Sequence, residues 1–154
     1  MAKSFYSTIA IRGCEVRDEA LADEAILPGQ LLRFDADEEL EKHATAGGVL
    51  ANKLVALESP MAAPGTTQAI DTAYAIGELV YYAIPRPGDI CYMWLKAGET
   101  AVKGISQLVS DGAGALQVAT VDATTLVNSI VGVPAEDKDN SGGGSAVRVL
   151  VEII

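Results

Sequence analysis

The chain has 154 residues, enough for one domain with a real core, and its 49% hydrophobic share excludes wholesale disorder. Aromatic residues make up only 5%, so the expected core consists of small packed layers rather than large rings. A formal net charge of −10 repels polyphosphate and anionic lipid, which sets nucleic acid and membrane surfaces aside as partners.

No apolar run approaches the roughly 18 residues of a membrane span. The stretch "MAKSFYSTIAIRGCEVRDE" lacks a long apolar centre and a small-residue cleavage site, so no secretory signal is expected. Cys14 and Cys91 are too few for a disulfide scaffold. Each reads as a small buried apolar residue of a protein made in a reducing cytoplasm.

In chain order, "SFYSTIAI" reads as a strand and "EVRDEALADEA" as a polar, acidic stretch. Residues 1–20 are expected to form an N-terminal arm and residues 21–154 a single β domain. In "AILPGQLLRFD", Pro28-Gly29 suits the centre of a type II turn: proline pre-sets φ and glycine accepts φ > 0. Leu31 to Phe34 would leave that turn as a strand. "DADEELEKHATAGG" offers only Leu40 as an apolar anchor and predicts one exposed helical turn, capped by Asp35 or Asp37 and ended by Gly47, or a loop. Val49 to Glu58 reads as a strand, and Ser59 to Gln68, with two prolines and a glycine, as a loop.

The β signal then sharpens. "ELVYYAI" (Glu78 to Ile84) and "ICYMWL" (Ile90 to Leu95) are strands broken by "PRPGD". Asp111-Gly112 is a hairpin signal between "SQLV" and "ALQVATV". "LVNSIVGV" is a further strand, and "VRVLVEII" closes the chain with Val147, Val149, Val151 and Ile153 on one face. Short strands parted by Gly and Pro turns predict an all-β sandwich or small barrel with little helix. The two strands around "PRPGD" are apolar on both faces. Either both are covered within the chain, or one face is buried against another chain.

The search for chemistry returns little. "DKDNSGGGSAVR" matches the first half of an EF-hand loop through Asp137, Asp139, Ser141 and Gly142, but Arg148 occupies the position of the bidentate glutamate. The stretch is read as a solvated glycine-rich loop between two strands. His43 is the only histidine, so a His-based triad or two-His metal site is excluded within the chain, and His43 is read as an exposed loop residue. Asp35, Asp37, Glu38, Glu39 and Glu41 are read as a solvated charged face, because a glycosidase pair comes from opposite sides of a cleft. P-loop, G-x-S-x-G and G-x-G-x-x-G patterns are missing. Catalytic residues, metal ligands and cofactors are therefore all expected to be none. "LKAGETAVKGISQLVSDGAGAL" shares turn spacing with biotinyl and lipoyl carrier modules, yet Asp111-Gly112 stands where a carrier displays its lysine.

Gly88 to Leu116 carries an aromatic strand followed by Leu95, Gly98, Gly104, Leu108, Ser110, Gly112, Gly114 and Leu116 in order. The ending "SIVGVPAEDKDNSGGGSAVRVLVEII" adds a "G-V-P-A-E" strand, a variable loop and a "V-R-V-L-V" strand. Together these regions, about a third of the chain, resemble the decoration (cement) proteins of tailed-bacteriophage heads. Residues 1–68 carry no comparable match, and the acidic insert after Phe34 departs from the pattern.

The resemblance implies a small all-β fold of β-tulip-like kind with an extended N-terminal arm. It implies a non-enzymatic virion protein on the capsid exterior that cements neighbouring subunits of the expanded head, as homotrimers at three-fold sites. The phage major capsid protein and a second and third copy of the chain are the expected partners. Capsid attachment is expected through Lys3, Ser4, Phe5, Tyr6, Ile9, Ile11 and Arg12, whose strand character suits pairing with a foreign sheet edge. The subunit interface is expected at Tyr81, Tyr82, Pro85, Arg86, Tyr92 and Trp94. Another minor virion component, such as a head fibre base or shell protein, and a small β module for sugar or metal are the alternatives.

Overall fold

The computed structural model describes residues 6–13, 15–61, 68–120 and 127–154. These form short strands and two single turns of 3-10 helix, at Ala69–Asp71 and Val127–Ser129, so the fold is all-β as expected. The strands are β1 (Ala10–Arg12), β2 (Val16–Leu21), β3 (Leu31–Phe34), β4 (Leu40–Lys42), β5 (Leu54–Ala56), β6 (Leu79–Ile84), β7 (Ile90–Leu95), β8 (Thr100–Ala101), β9 (Leu108–Ser110), β10 (Leu116–Val118), β11 (Ile130–Pro134), β12 (Lys138–Asp139) and β13 (Val147–Ile153).

Five strands close into a barrel in the order β7-β10-β9-β11-β13, with β13 returning to β7. The β13–β7 pairing is antiparallel and runs from Val147 opposite Leu95 to Glu152 opposite Ile90. The strict alternation of β13 sends Val149, Val151 and Ile153 into the barrel, where they meet Cys91, Met93, Leu95, Leu108, Leu116 and Val131. Burying each large aliphatic side chain here contributes about 1.5–3 kcal/mol.

The second edge of β7 is shared by three pieces of chain. Its start pairs with β1. The Tyr92 N–H then donates to Ile9 O (2.8 Å), the Trp94 N–H to Gly29 O (3.3 Å) and the Lys96 N–H to Leu116 O (2.8 Å). The Pro28-Gly29 turn is therefore a barrel component. It is closed by Gln30 N–H donating to Leu27 O, with Gly29 at φ 90. A Cβ on Gly29 would sit 2.7 Å from Tyr92 O, so this position needs glycine for both its φ and the close approach.

The remaining large sheet has the order β2-β6-β5-β3-β4, antiparallel throughout. A parallel bridge between Ala22 and Leu40 brings its outer strands together at one end. One face, with Leu31, Val55 and Ala83, packs on the barrel core. The other, with Leu32, Leu40, Leu54, Ala56, Val80 and Tyr82, encloses a second core. The central strands are thus covered on both faces, which is why "LVYYAI" and "LVA" lack an apolar–polar alternation.

Several segments differ from the sequence expectation. "DADEELEKHATAGG" forms no helical turn. Phe34 to Leu40 is a hairpin connection in which Asp35 Oδ1 accepts the N–H groups of Asp37 and Glu39, and Glu38 takes φ 63. The local carboxylate competes with helix formation and wins. The acidic "VRDEAL" becomes β2, held by β6 along its whole length. The Asp111-Gly112 hairpin exists as β9–β10, but with a longer loop in which Asp111 Oδ1 accepts from Ala113 and Ala115.

Candidate functional site

The described part of the expected arm, residues 6–13 and 15–20, is built into the two sheets. Ile9 is fully buried, Ala10 and Arg12 pair with Cys91 and Ile90, and Ile11 packs half-buried on the barrel core. Glu58 fixes the approach by accepting from Thr8 Oγ1 (2.6 Å) and Ile9 N (2.9 Å). The Tyr6 ring meets Tyr92 edge-on at 5.1 Å. Tyr6 and Arg12 are exposed. Lys3, Ser4 and Phe5 lie outside the described residues, as do Cys14 and most of the "SPMAAPGTTQ" loop.

The expected subunit-interface residues do not form one surface. Tyr82, Pro85 and Tyr92 are buried within their own chain. The first of the two readings fits most of both strands, which other parts of the chain cover on both faces, while Leu79 at the start of β6 stays exposed and Tyr81 half-buried. Tyr82 belongs to the second core and meets Phe34 edge-on at 5.8 Å. Tyr81 and Trp94 are half-buried, and Arg86 is exposed.

Trp94 belongs to a buried cluster that joins the barrel to the chain segments beside it. Its Nε1 donates to Pro28 O (2.9 Å). The Arg148 guanidinium lies over its ring, 4.2 Å from the centroid. Arg148 is only 5% exposed, and its Nη1 donates to Asp71 Oδ1 at 2.6 Å. Its Nη2 donates to Pro28 O (3.1 Å) and to Ile70 O. Asp71 and Ile70 come from the 3-10 turn, so one side chain of β13 ties together β7, the Pro28-Gly29 turn and the Ala69–Asp71 turn. Sequence reasoning saw Arg148 only as a misfit in a calcium loop.

His43 is a further correction, for it is buried at 5% exposure. Its Nδ1 lies 2.7 Å from Ser110 Oγ, which in turn accepts the Gly112 N–H. Burial, with the positive charge of Arg33 adding to it, holds its pKa below the ordinary imidazole value; a backbone hydrogen bond at Val49 works the other way. These contacts pin the segment after β4 to the β9–β10 hairpin. The glycine-rich loop is also less free than expected. Lys138–Asp139 pairs with β8, and buried Asn140 donates through Nδ2 to Lys96 O and Ser145 O.

An accessible apolar region lies on the second sheet. A surface groove of about 520 Å³ is lined by Met61, Tyr74, Leu79 and Tyr81, among others. Met61 is 80% exposed, and Ile76, at the tip of the turn before β6, is 73% exposed. Leu21 and Leu79, directly opposite each other, are exposed beside them. "AIGE" carried the signal for Ile76, a large aliphatic residue immediately before a turn glycine. Asp23, Asp35 and Glu39 place one carboxylate oxygen each within 4.8 Å of one another, a concentration of negative charge on the same sheet.

No protein-family profile matches the sequence, and no curated protein does. A solved structure, the N base of head fiber gp8.5 of bacteriophage phi29, shares this fold. The TM-score is 0.54 at 15% sequence identity, over 92% of this chain and 98% of that one. The two chains are thus alike in architecture over 92% of this one while differing at most positions, which establishes the fold.

Proposed function

We propose that this chain is a non-enzymatic structural protein of a tailed-phage head, bound to the capsid exterior. There it cements neighbouring major capsid subunits of the expanded shell as a homotrimer at three-fold sites. The observation that carries this reading is the likeness in fold, over 92% of the chain, to a head fiber base. The decoration-type motifs of Gly88 to Leu116 and of the last two long strands support it independently of fold. Repetition over many sites lets a modest contact per subunit add up to strong reinforcement.

Burial redistributes the proposed contacts. Tyr82 and Tyr92 serve the chain's own cores and Pro85 is buried, so self-contact falls to Tyr81, Arg86 and the exposed Leu79–Met61 groove. Of the proposed arm, Tyr6 and Arg12 offer exposed side chains next to the barrel.

The test is co-sedimentation with expanded heads of the encoding phage that lack the protein, with unexpanded proheads alongside. Saturable binding to expanded heads alone is expected, and no binding to either would sink the reading. The same fold likeness favours a second reading as the base of a head fibre. Copy number separates them: a cement protein approaches the abundance of the major capsid protein, whereas a fibre base saturates well below it.

A further inference from the structure

β2 is the outer strand of its sheet, and its side chains are exposed except for half-buried Ala20. The Ala22 N–H donates to Glu78 O, so Ala22 and Glu78 form a hydrogen-bonded pair in a register whose partners run Val16–Ile84 to Leu21–Leu79. Antiparallel pairing alternates, so the backbone groups of Arg17, Glu19 and Leu21 point away from β6. The Asp23 N–H donates to Leu40 O where Ala22 bridges to Leu40. That bridge is parallel, and before Leu40 the chain turns back through the β3–β4 hairpin. Residues 16–20 therefore run past the hairpin without a strand on their outer side among the described residues.

The outward groups are only lightly guarded. The Glu19 N–H donates to Asp18 Oδ1 (2.9 Å), a carboxylate of the same strand that an incoming carbonyl would replace. Inside the gap lie exposed Val16 and exposed Phe34, the latter against Tyr82. The rim is acidic. Residues 15–24 carry Glu15, Asp18, Glu19, Asp23 and Glu24 against Arg17. Arg17 is paired with Glu15 and Glu24 with Lys42, which leaves Asp18, Glu19 and Asp23 without a cationic partner among the described residues. At the closed end of the gap Asp35 and Glu39 gather with Asp23, one carboxylate oxygen of each within 4.8 Å of the others.

We infer that the gap between β2 and the β3–β4 hairpin is a docking edge for an extended cationic segment of a partner protein. Backbone hydrogen bonds to Arg17 and Glu19 supply the pairing, since the Leu21 carbonyl is engaged where Ala22 bridges to Leu40. Alternate side chains supply the selection: apolar residues turn inward onto Val16 and Phe34, and Lys or Arg residues meet the acidic rim. A second copy of this chain is a poor occupant, because two such edges would bring like charges face to face. The inference goes beyond the capsid reading and does not depend on it.

The probe is a synthetic capped peptide of alternating lysine and valine, about eight residues long, the length of an ordinary strand. Its control has the same lysines with proline in place of valine. Binding is followed by fluorescence anisotropy of the labelled peptide and by amide hydrogen exchange of the protein. The alternating peptide is expected to bind at least about tenfold more tightly than the control and to slow exchange at Arg17 and Glu19, since proline cannot donate to a ladder. Glu19→Lys, on an exposed strand, is expected to weaken binding several-fold with an unchanged melting temperature; Asp18 is left in place because it hydrogen-bonds the buried Tyr82 side chain. Val16→Asp, a second exposed substitution, should weaken it as well. Equal binding of the two peptides would reveal charge attraction alone and overturn the inference, as would protection elsewhere or none at all. If heads bind the protein while the peptide does not, the docking edge is lost and the capsid reading stands. If the peptide binds while heads do not, the reverse holds.

Discussion

Replacing Arg148 with alanine tests the claim that one buried cation holds three segments together. The substitution removes a donor from Asp71 at 2.6 Å, donors from Pro28 O and Ile70 O, and the cation over the Trp94 ring at 4.2 Å. Breaking a buried pair by deleting one partner costs about 3–5 kcal/mol, because the remaining groups keep their desolvation cost. The Asp71 side chain is 21% exposed and recovers some hydration, so we expect about 3 kcal/mol. At about 2–4 °C per kcal/mol for a domain of this size, the melting temperature should fall by roughly 6–12 °C. Urea denaturation followed by fluorescence measures this directly, and Trp94, the single tryptophan, reports from the cluster itself. Arg148→Lys should fall between the two, since an ammonium cannot reproduce the planar fork. The Asp71→Asn, Arg148→Ala double variant should show coupling on the order of 1 kcal/mol or more. A loss below about 1 kcal/mol for Arg148→Ala would refute the reasoning and make the cluster a bystander of packing.

Three further outcomes are expected. Gly29→Ala forces a left-handed φ on an L-residue and drives a Cβ to 2.7 Å from Tyr92 O, so it should cost about 2 kcal/mol or more in chemical denaturation. His43 has a folded-state pKa below its unfolded value, so the stability it contributes is present above the unfolded imidazole value near 6.5 and is lost as pH falls through the folded pKa. Denaturation midpoints should therefore fall with acidification just below pH 6.5, and His43→Gln should flatten that slope; an unaltered slope would remove His43 as its cause. Burial, with the nearby charges of Asp89 and Glu15 adding to it, pushes the Cys91 thiol up to about 12, so in a Cys14→Ser background a thiol reagent should label Cys91 only on unfolding.

The sequence by itself determined the fold class and the barrel's main strands. Val147–Ile153 was legible from its period-two pattern and Ile90–Leu95 from its continuous apolar and aromatic run, both local properties, and turn glycines cut the chain where φ must be positive. Pro28-Gly29 was legible as a turn for the same reason. Its place as a piece of the β7 edge was not, because that depends on Trp94, 65 residues after Gly29 (94 − 29), coming to lie beside it. β2 was missed because an outer strand exposed on both faces carries no hydrophobic period. His43 and Arg148 were misread for a shared reason. Polarity predicts exposure, and only the tertiary structure supplies the Ser110 hydroxyl, the Asp71 carboxylate and the carbonyls that make their burial tolerable. The doubly apolar tyrosine strands posed the opposite problem. Their burial was written in the sequence, but whether the covering atoms came from the same chain or another was decided by the second sheet folding back over the barrel.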